Sequence, residues 1–371
     1  MKNFLKNIYF TLRSAVLLPL RAFFPAAAAP ALDRPRAILF IRVDRIGDMV
    51  LSTPAFGALK EKYPEAEITV LAAPACCALI AADPRVGRAV PWRGGALEGL
   101  RTLRELRARA FDLAIDPYKG PELKTALLAF FSGARLRLGY ESHGRGLFFN
   151  MRVAPPADRR HFVEEALYLL GALGITEPSQ KPELFTSEAA EGAAEKVLSD
   201  SGVSGSRLLV AMHPGGFYPS QRWPAARFRE LAAWLAVEYS ASLLLIGSAE
   251  ESALADEISS GLPAGKTAVR AIGLGTDVLC ALMRRCGLFV GNNSGPLHMA
   301  SALGIPGVST MGPTDPVKWT PLGPGQVVLR SARPCGQRGG GECMADLTVE
   351  RMKAAVKEAL AVRGGGSGGT V

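Results

Sequence analysis

Aromatic residues make up only 7% of the chain, against 48% apolar residues in which Ala and Leu, with abundant Gly alongside, dominate. An all-β domain would draw more heavily on aromatic strand formers, so the composition suits a helix-rich α/β protein. No two of the six cysteines form a CxxC pair, which removes zinc-ribbon and thioredoxin-type sites. Cys280 and Cys286 lie in apolar surroundings and are expected to be core thiols. Cys335 and Cys343 flank a glycine-rich loop where they could approach each other, and they are read as free thiols of a reducing compartment. No GxxxxGK[ST] run occurs, so a P-loop is excluded, and no GxGxxG follows the first strand, which leaves an NAD site unsupported. The net charge of +9 calls for an anionic partner. With no long basic tract interleaved with aromatics, and no zinc-finger, RRM or homeodomain pattern, nucleic acid is not expected to be that partner. Anionic lipid and phosphorylated sugar remain.

The first 24 residues contain no acid, and Lys2, Lys6, Arg13 and Arg21 recur through them. Their longest uncharged stretch, residues 14–20, includes Pro19 and is far short of the ~20 apolar residues that span a bilayer. Charges spread this way also fit a signal peptide poorly. Phe4, Ile8, Leu12 and Ala15 or Val16 recur at helical spacing, with Lys6 and Arg13 elsewhere on the wheel. The segment is read as an amphipathic arm lying on an anionic membrane surface, which would make the protein cytoplasmic and peripherally attached to the inner membrane. A helix packed on the protein's own surface, or a partner-binding arm, is the alternative. An Ala/Pro linker runs to residue 35.

From residue 36 the pattern alternates, and 371 residues suffice for two domains with separate cores. Strand-length apolar runs are expected at 38–43, 68–72, 111–116 and 135–139. Helices are expected at 48–63, 123–131 and 163–173. A polar stretch with Pro178 and Pro182 marks a boundary near 180. The alternation then restarts, with strands at 208–212, 242–247, 269–272, 288–291 and 307–311. Helices are expected at 225–239, 250–260, 277–285 and 295–303. Residues 36–180 and 181–347 are therefore two Rossmann-like, doubly wound α/β domains expected to face a central cleft, followed by an amphipathic helix at 348–362 and a Gly/Ser tail at 363–371. In such sheets ligands bind beyond the carboxyl ends of the strands.

Four turns in those positions carry the chemistry. The first reads Arg42-Val-Asp-Arg-Ile-Gly-Asp48. Gly47 permits a tight turn or close backbone approach, and Arg42 and Arg45 flank it. Asp48 opens a helix, where it can cap free amides or present a carboxylate as general base; its position alone leaves both open. The second turn, His213 to Pro224, offers Gly215 and Gly216 amides to an anion and adds Ser220, Gln221 and Arg222 as donors. The third holds Glu250 and Glu251, either of which can accept ribose hydroxyls or sit in a helix's first turn. The fourth, Gly291-Asn-Asn-Ser-Gly-Pro-Leu-His298, places Asn293, Ser294 and Gly295 where a helix N-terminus can bind a diphosphate. His298 follows one turn on, either beside the phosphates or in the core. Thr314 ends the next strand's turn.

Taken in order, these motifs resemble the heptosyltransferases, glycosyltransferase family 9. The resemblance lies in IRVDRIGDMVLSTPA (41–55), HPGGFYPSQRWP (213–224) and GNNSGPLHMASALGIPGVSTMGPTDP (291–316), and spans residues 37–360. It implies a GT-B fold, with the acceptor held mainly by the first domain and the nucleotide sugar by the second. It further implies inverting transfer of a sugar, ADP-heptose being the expected donor, to a lipid-linked glycan such as lipopolysaccharide core, with no metal and no cofactor. By the same resemblance Asp48 is the general base, Glu250 or Glu251 the acid near the nucleoside, and Ser294, Gly295 and His298 the phosphate-binding helix start. Gln221 stands where many members have Lys, and Asn293 where many have Asp. A sugar-nucleotide epimerase and a non-catalytic sugar-nucleotide-binding protein are the competing readings.

Overall fold

The computed structural model describes residues 34–203, 208–266, 268–331 and 342–365, together with Phe10, Arg13 and Leu32. The rest of the arm and linker, Cys335, the glycine-rich loop and residues 366–371 lie outside the described residues, as do the side chains of Ser220 and Cys343. The chain divides into two compact units, Met1–Gln180 and Lys181–Val371.

The first unit is built on β1 (Ala37–Arg42), β2 (Glu67–Ala72), β3 (Arg88–Pro91), β4 (Leu113–Asp116), β5 (Leu136–Tyr140) and β6 (Met151–Val153). They form one parallel sheet in the order β3-β2-β1-β4-β5-β6. Its helices are α1 (Ile46–Val50), α2 (Thr53–Lys62), α3 (Pro74–Ile80), α4 (Ala96–Ala108), α5 (Lys124–Phe131) and α6 (Phe162–Leu170). β1, β2 and β4 are apolar on both faces because helices cover both sides of the sheet. Ile38, Leu39, Phe40 and Ile41 have no exposed surface, and Phe40 meets Phe56 of α2 edge to face at 5.2 Å.

The second unit repeats the plan with β7 (Leu209–His213), β8 (Ser242–Gly247), β9 (Ala268–Ile272), β10 (Leu288–Asn292), β11 (Gly307–Met311) and β12 (Gln326–Arg330). Its sheet order, β12-β11-β10-β7-β8-β9, is the same order read from the other edge. The helices are α7 (Glu188–Asp200), α8 (Ala225–Glu238), α9 (Ser252–Ser259), α10 (Thr276–Arg284), α11 (Gly295–Ala302), α12 (Pro316–Trp319), α13 (Glu342–Ala345) and α14 (Val349–Gly365). Met352 and Val356 of α14 are fully buried against the same core as β7, β8 and β10, with Leu360 packed alongside. Cys280 and Cys286 are buried, as expected of core thiols.

In each unit the order reverses between two central neighbours, β1 and β4 in the first and β7 and β10 in the second. At such a switch point the connections leave towards opposite faces and open a crevice at the carboxyl ends. Arg42 ends β1, Asp116 β4, His213 β7 and Asn292 β10. The helix expected at 48–63 is instead two helices, broken at Leu51 and Ser52. Pro54 has no amide to continue the ladder, and the Ser52 hydroxyl donates to Asp48 O at 2.7 Å. No described helix is long and apolar enough to cross a membrane.

Candidate active site

In the first unit, the β1 turn presents its charged residues in different ways. Arg42 is 2% exposed; its Nη1 donates to Asp44 Oδ2 at 3.1 Å, and its guanidinium lies 5.0 Å from the Phe162 ring centre. Arg45 is exposed and stands at the N-cap of α1. Gly47 is the buried second residue of that helix; the chain bends at Asp44, before the Arg45 N-cap, so Gly47 does not itself form the turn. Asp48 Oδ2 accepts the Arg45 amide N–H at 3.2 Å, so the capping role is filled by one carboxylate oxygen. Burial pushes the Asp48 carboxyl above its ordinary value of 3.8; Arg42 opposes the rise and Asp44 adds to it. A carboxylate kept basic by burial beside a turn is suited to take a proton.

Asp116, at the end of β4, is fully buried and paired with the equally buried Arg145. Arg145 Nη2 also donates to Thr125 Oγ1 at 3.1 Å, its guanidinium lies 4.8 Å from the Tyr118 ring centre, and Asp116 Oδ1 accepts the Tyr118 amide at 3.1 Å. Neither residue was singled out from the sequence. An acid closing an apolar strand was the available signal for Asp116.

In the second unit, Glu251 organises the β7 turn. Its Oε1 accepts the Gly216 amide at 2.9 Å and Arg222 Nη2 at 3.3 Å, and its Oε2 accepts the Ser248 amide at 3.0 Å. His213 Nε2 lies 3.7 Å from Oε2. Burial pushes this carboxyl up, but the His213 side chain and the Ser248 and Gly216 amides outweigh it and hold the group down at about 2. Gly215 packs directly on the carboxylate, which leaves no room for a Cβ, and Gly216 has φ +144°, a region L-residues rarely adopt. The Gly216 amide expected to face an anion is therefore already donated to Glu251. Arg222 also donates through Nε to Gly216 O at 2.9 Å, while Glu250 is exposed. Gln221 Oε1 accepts the Thr314 hydroxyl at 3.5 Å.

Beside this turn begins α11. Ser294 is its N-cap, yet its side chain caps no amide. The hydroxyl donates instead to Asn292 O at 3.1 Å and meets His213 Nδ1 at 2.9 Å. The Ser294 side chain thus leaves the first-turn amides from Gly295 uncapped, an arrangement suited to an anion. Asn293 donates its amide to Thr310 O at 3.0 Å and is half-buried. His298 is 3% exposed and its ring centre lies 6.2 Å from that of Trp319.

Sequence reasoning missed the residue that ties these turns together. Asn292 is 2% exposed; its Oδ1 accepts the Trp223 amide at 2.9 Å and the Thr310 hydroxyl at 2.8 Å. Its Nδ2 donates to Pro214 O at 2.8 Å and Gly215 O at 2.9 Å. Trp223, 1% exposed, locks the turn's far end by donating Nε1–H to Leu347 O at 2.6 Å. Among the described residues no group of three or more His, Cys, Asp or Glu is arranged to hold a metal ion.

Residues 100–348 match the family described as Glycosyltransferase family 9 (heptosyltransferase). The chain is 32% identical over 315 residues to lipopolysaccharide heptosyltransferase 2 of Escherichia coli, covering 79% of this chain and 87% of that protein. It is 28% identical over 354 residues to lipooligosaccharide heptosyltransferase 2 of Haemophilus influenzae, covering 87% and 99%. Among solved structures, that of E. coli ADP-heptose lipopolysaccharide heptosyltransferase II superposes with a TM-score of 0.76 at 27% identity, over 88% of this chain and 99% of that one.

Proposed function

Because the chain belongs to glycosyltransferase family 9, the heptosyltransferases, we propose that this glycosyltransferase moves heptose from ADP-heptose to a lipid-linked lipopolysaccharide core, with inversion and without a metal ion. The observation that carries the reading is the start of α11. Its first-turn amides follow the switch-point strand β10 and lack a side-chain cap, because His213 and Asn292 O hold the Ser294 hydroxyl away from them. A departing diphosphate is stabilised by such a helix start. Ser294, Gly295 and Asn293 border it, and Arg222, 27% exposed at the rim of the β7 turn, supplies the positive charge that Gln221 does not. Glu250 is the exposed carboxylate for a ribose hydroxyl, since Glu251 already accepts three donors.

On the acceptor side, Asp48 takes the proton of an acceptor hydroxyl. The hydroxyl oxygen forms the new bond to the anomeric carbon as the bond to the diphosphate breaks, and the nucleotide leaves with the electron pair. A single displacement of this kind inverts the anomeric carbon. Arg45, exposed at the N-cap of α1, offers positive charge to an anionic acceptor, while the buried Arg42, paired to Asp44, holds the turn beneath it.

The test is thermal stabilisation by ADP, UDP, GDP, CDP and ADP-heptose, followed by transfer assays with and without EDTA. A ligand at a hundred times its Kd stabilises by about 2.7 kcal/mol. A response selective for ADP and ADP-heptose, with EDTA-insensitive transfer, is expected. Preference for another nucleotide would overturn the donor, and loss of transfer in EDTA the metal-free mechanism.

A further inference from the structure

Helix α4 has apolar residues on two faces. Leu106 is fully buried and Leu103 packs against the core of the first unit. Leu97 and Leu100 do not: they are 74% and 53% exposed, and Leu97 is the most exposed large hydrophobic residue among those described. Three residues apart, they share a face with Arg101 and Arg104, both exposed. Arg93 and Arg107 are exposed at either end. Within α4 itself the acids are Glu98, paired to Arg101 at 2.8 Å, and Glu105.

The start of α4 adjoins the place where Arg13 and Phe10 make their contacts. Trp92 packs against Gly99 of α4, and Lys124 at the start of α5 lies 5.9 Å from the Trp92 ring centre. Three residues before Lys124, Pro121 O accepts Arg13 Nη2 at 2.6 Å, and His143 O accepts the same nitrogen at 2.6 Å. Phe10 stands 5.8 Å from the His143 ring. The Arg13 contacts and the start of α4 both lie at the carboxyl end of the sheet, where β1 delivers Asp48.

We propose that the Leu97–Leu100–Arg101–Arg104 face of α4 is a docking surface for an anionic bilayer, which sets the acceptor end of the first sheet at the lipid surface. The assignment of the surface rests on the reading above that the acceptor is lipid-linked. Exposed leucines beside arginines whose stems can lie along the apolar boundary are the pattern of a helix resting in a headgroup layer. The face is small, so it binds weakly alone.

The test uses the full-length protein and flotation with phosphatidylglycerol/phosphatidylethanolamine vesicles or with phosphatidylcholine vesicles. Leu97→Ser/Leu100→Ser is expected to weaken binding to the anionic vesicles about tenfold. Arg101→Gln/Arg104→Gln is expected to remove much of the preference for anionic over phosphatidylcholine vesicles. Both variants should keep the wild-type thermal shift with ADP, which shows that the fold is intact. Transfer to acceptor embedded in vesicles should fall in step with binding, while transfer to a delipidated, water-soluble acceptor should not change. Unchanged vesicle binding in both variants would overturn the proposal, as would a wild-type dimer that the leucine variant dissociates, since the face would then be a self-interface. If binding falls as expected but no heptose is transferred to any acceptor, the surface stands and the substrate reading fails.

Discussion

Glu251→Gln is expected to destabilise the protein by an amount that the site's geometry bounds. The carboxylate receives the Gly216 and Ser248 amides and Arg222, with His213 nearby, and its side chain is 13% exposed. Its fall from 4.5 to about 2 corresponds to about 3 kcal/mol in favour of the charged form in the fold. Solvent screening of a partly exposed group reduces this to roughly 1.5 kcal/mol. Glutamine keeps one acceptor oxygen but turns an NH2 towards a donor, adding roughly 1 kcal/mol. The variant should therefore be about 2–3 kcal/mol less stable at pH 7, a fall of roughly 5–10 °C in Tm for a unit of this size. Because the folded value is depressed, the contribution is complete above 4.5 and is lost as pH falls towards 2. Urea unfolding of both proteins at pH 7, 5, 4 and 3 should show the gap narrowing below pH 4.5. A gap under about 0.5 kcal/mol at pH 7, or one that does not narrow, would refute the assignment of Glu251 as the charged clamp of the Gly215–Gly216 turn.

Asp48→Asn should lower transfer by roughly 10²–10⁴-fold while leaving the ADP thermal shift unchanged. Burial raises the Asp48 carboxyl above 3.8, so its stabilising contribution is present at acid pH and is lost as pH rises through the folded value. The Asn variant should consequently melt no lower than wild type at pH 7, and the wild-type rate should fall on the acid side at a pH above 3.8; retained turnover would rule out Asp48 as the base. Asn292→Ala leaves the Trp223 amide, the Thr310 hydroxyl and two carbonyls unmatched in the interior; a loss of roughly 2–4 kcal/mol by chemical denaturation and weaker ADP binding are expected, and wild-type values for both would show that it does not hold the turn. Arg145→Met strands the buried Asp116 charge and should lose about 3–5 kcal/mol, with Asp116→Asn partly restoring stability in the double variant. No restoration would mean that Arg145 acts through Tyr118 and Thr125 rather than through the pair.

The central strands could be read because burial on both faces writes an unbroken apolar run, as in Ala-Ile-Leu-Phe-Ile of β1. The edge strands β3, β6 and β12 leave no such run, since most of their residues are only half covered or exposed. The period of α4 was blurred by Leu97 and Leu100, which are apolar yet face outward. Within the site, position after a strand located the turns but not the bonds. Glu250 and Glu251 are equivalent as letters; only the folded turn brings one of them onto the Gly216 amide and leaves the other exposed. The neighbouring asparagines show the same limit. Asn292 is the last residue of β10, and its side chain is buried among the turns it ties together, whereas Asn293, one step on, is half-buried. Asp116 and Arg145 are far apart in the chain, and no local pattern announces their meeting.

Asp116 and Asn292 hold the same place in their respective halves: each is the last residue of the fourth strand of its unit, across the switch point from the first. Every partner of Asp116 named above belongs to the first half, and every partner of Asn292 to the second. A crossover at the Gln180–Lys181 junction therefore separates neither residue from its partners. Replacing residues 181–371 as a unit would leave the Asp116 centre whole and would move every position that holds Asn292 together. Recombination at that junction exchanges the second half as a cassette, without the buried polar centres of the two halves having to change together.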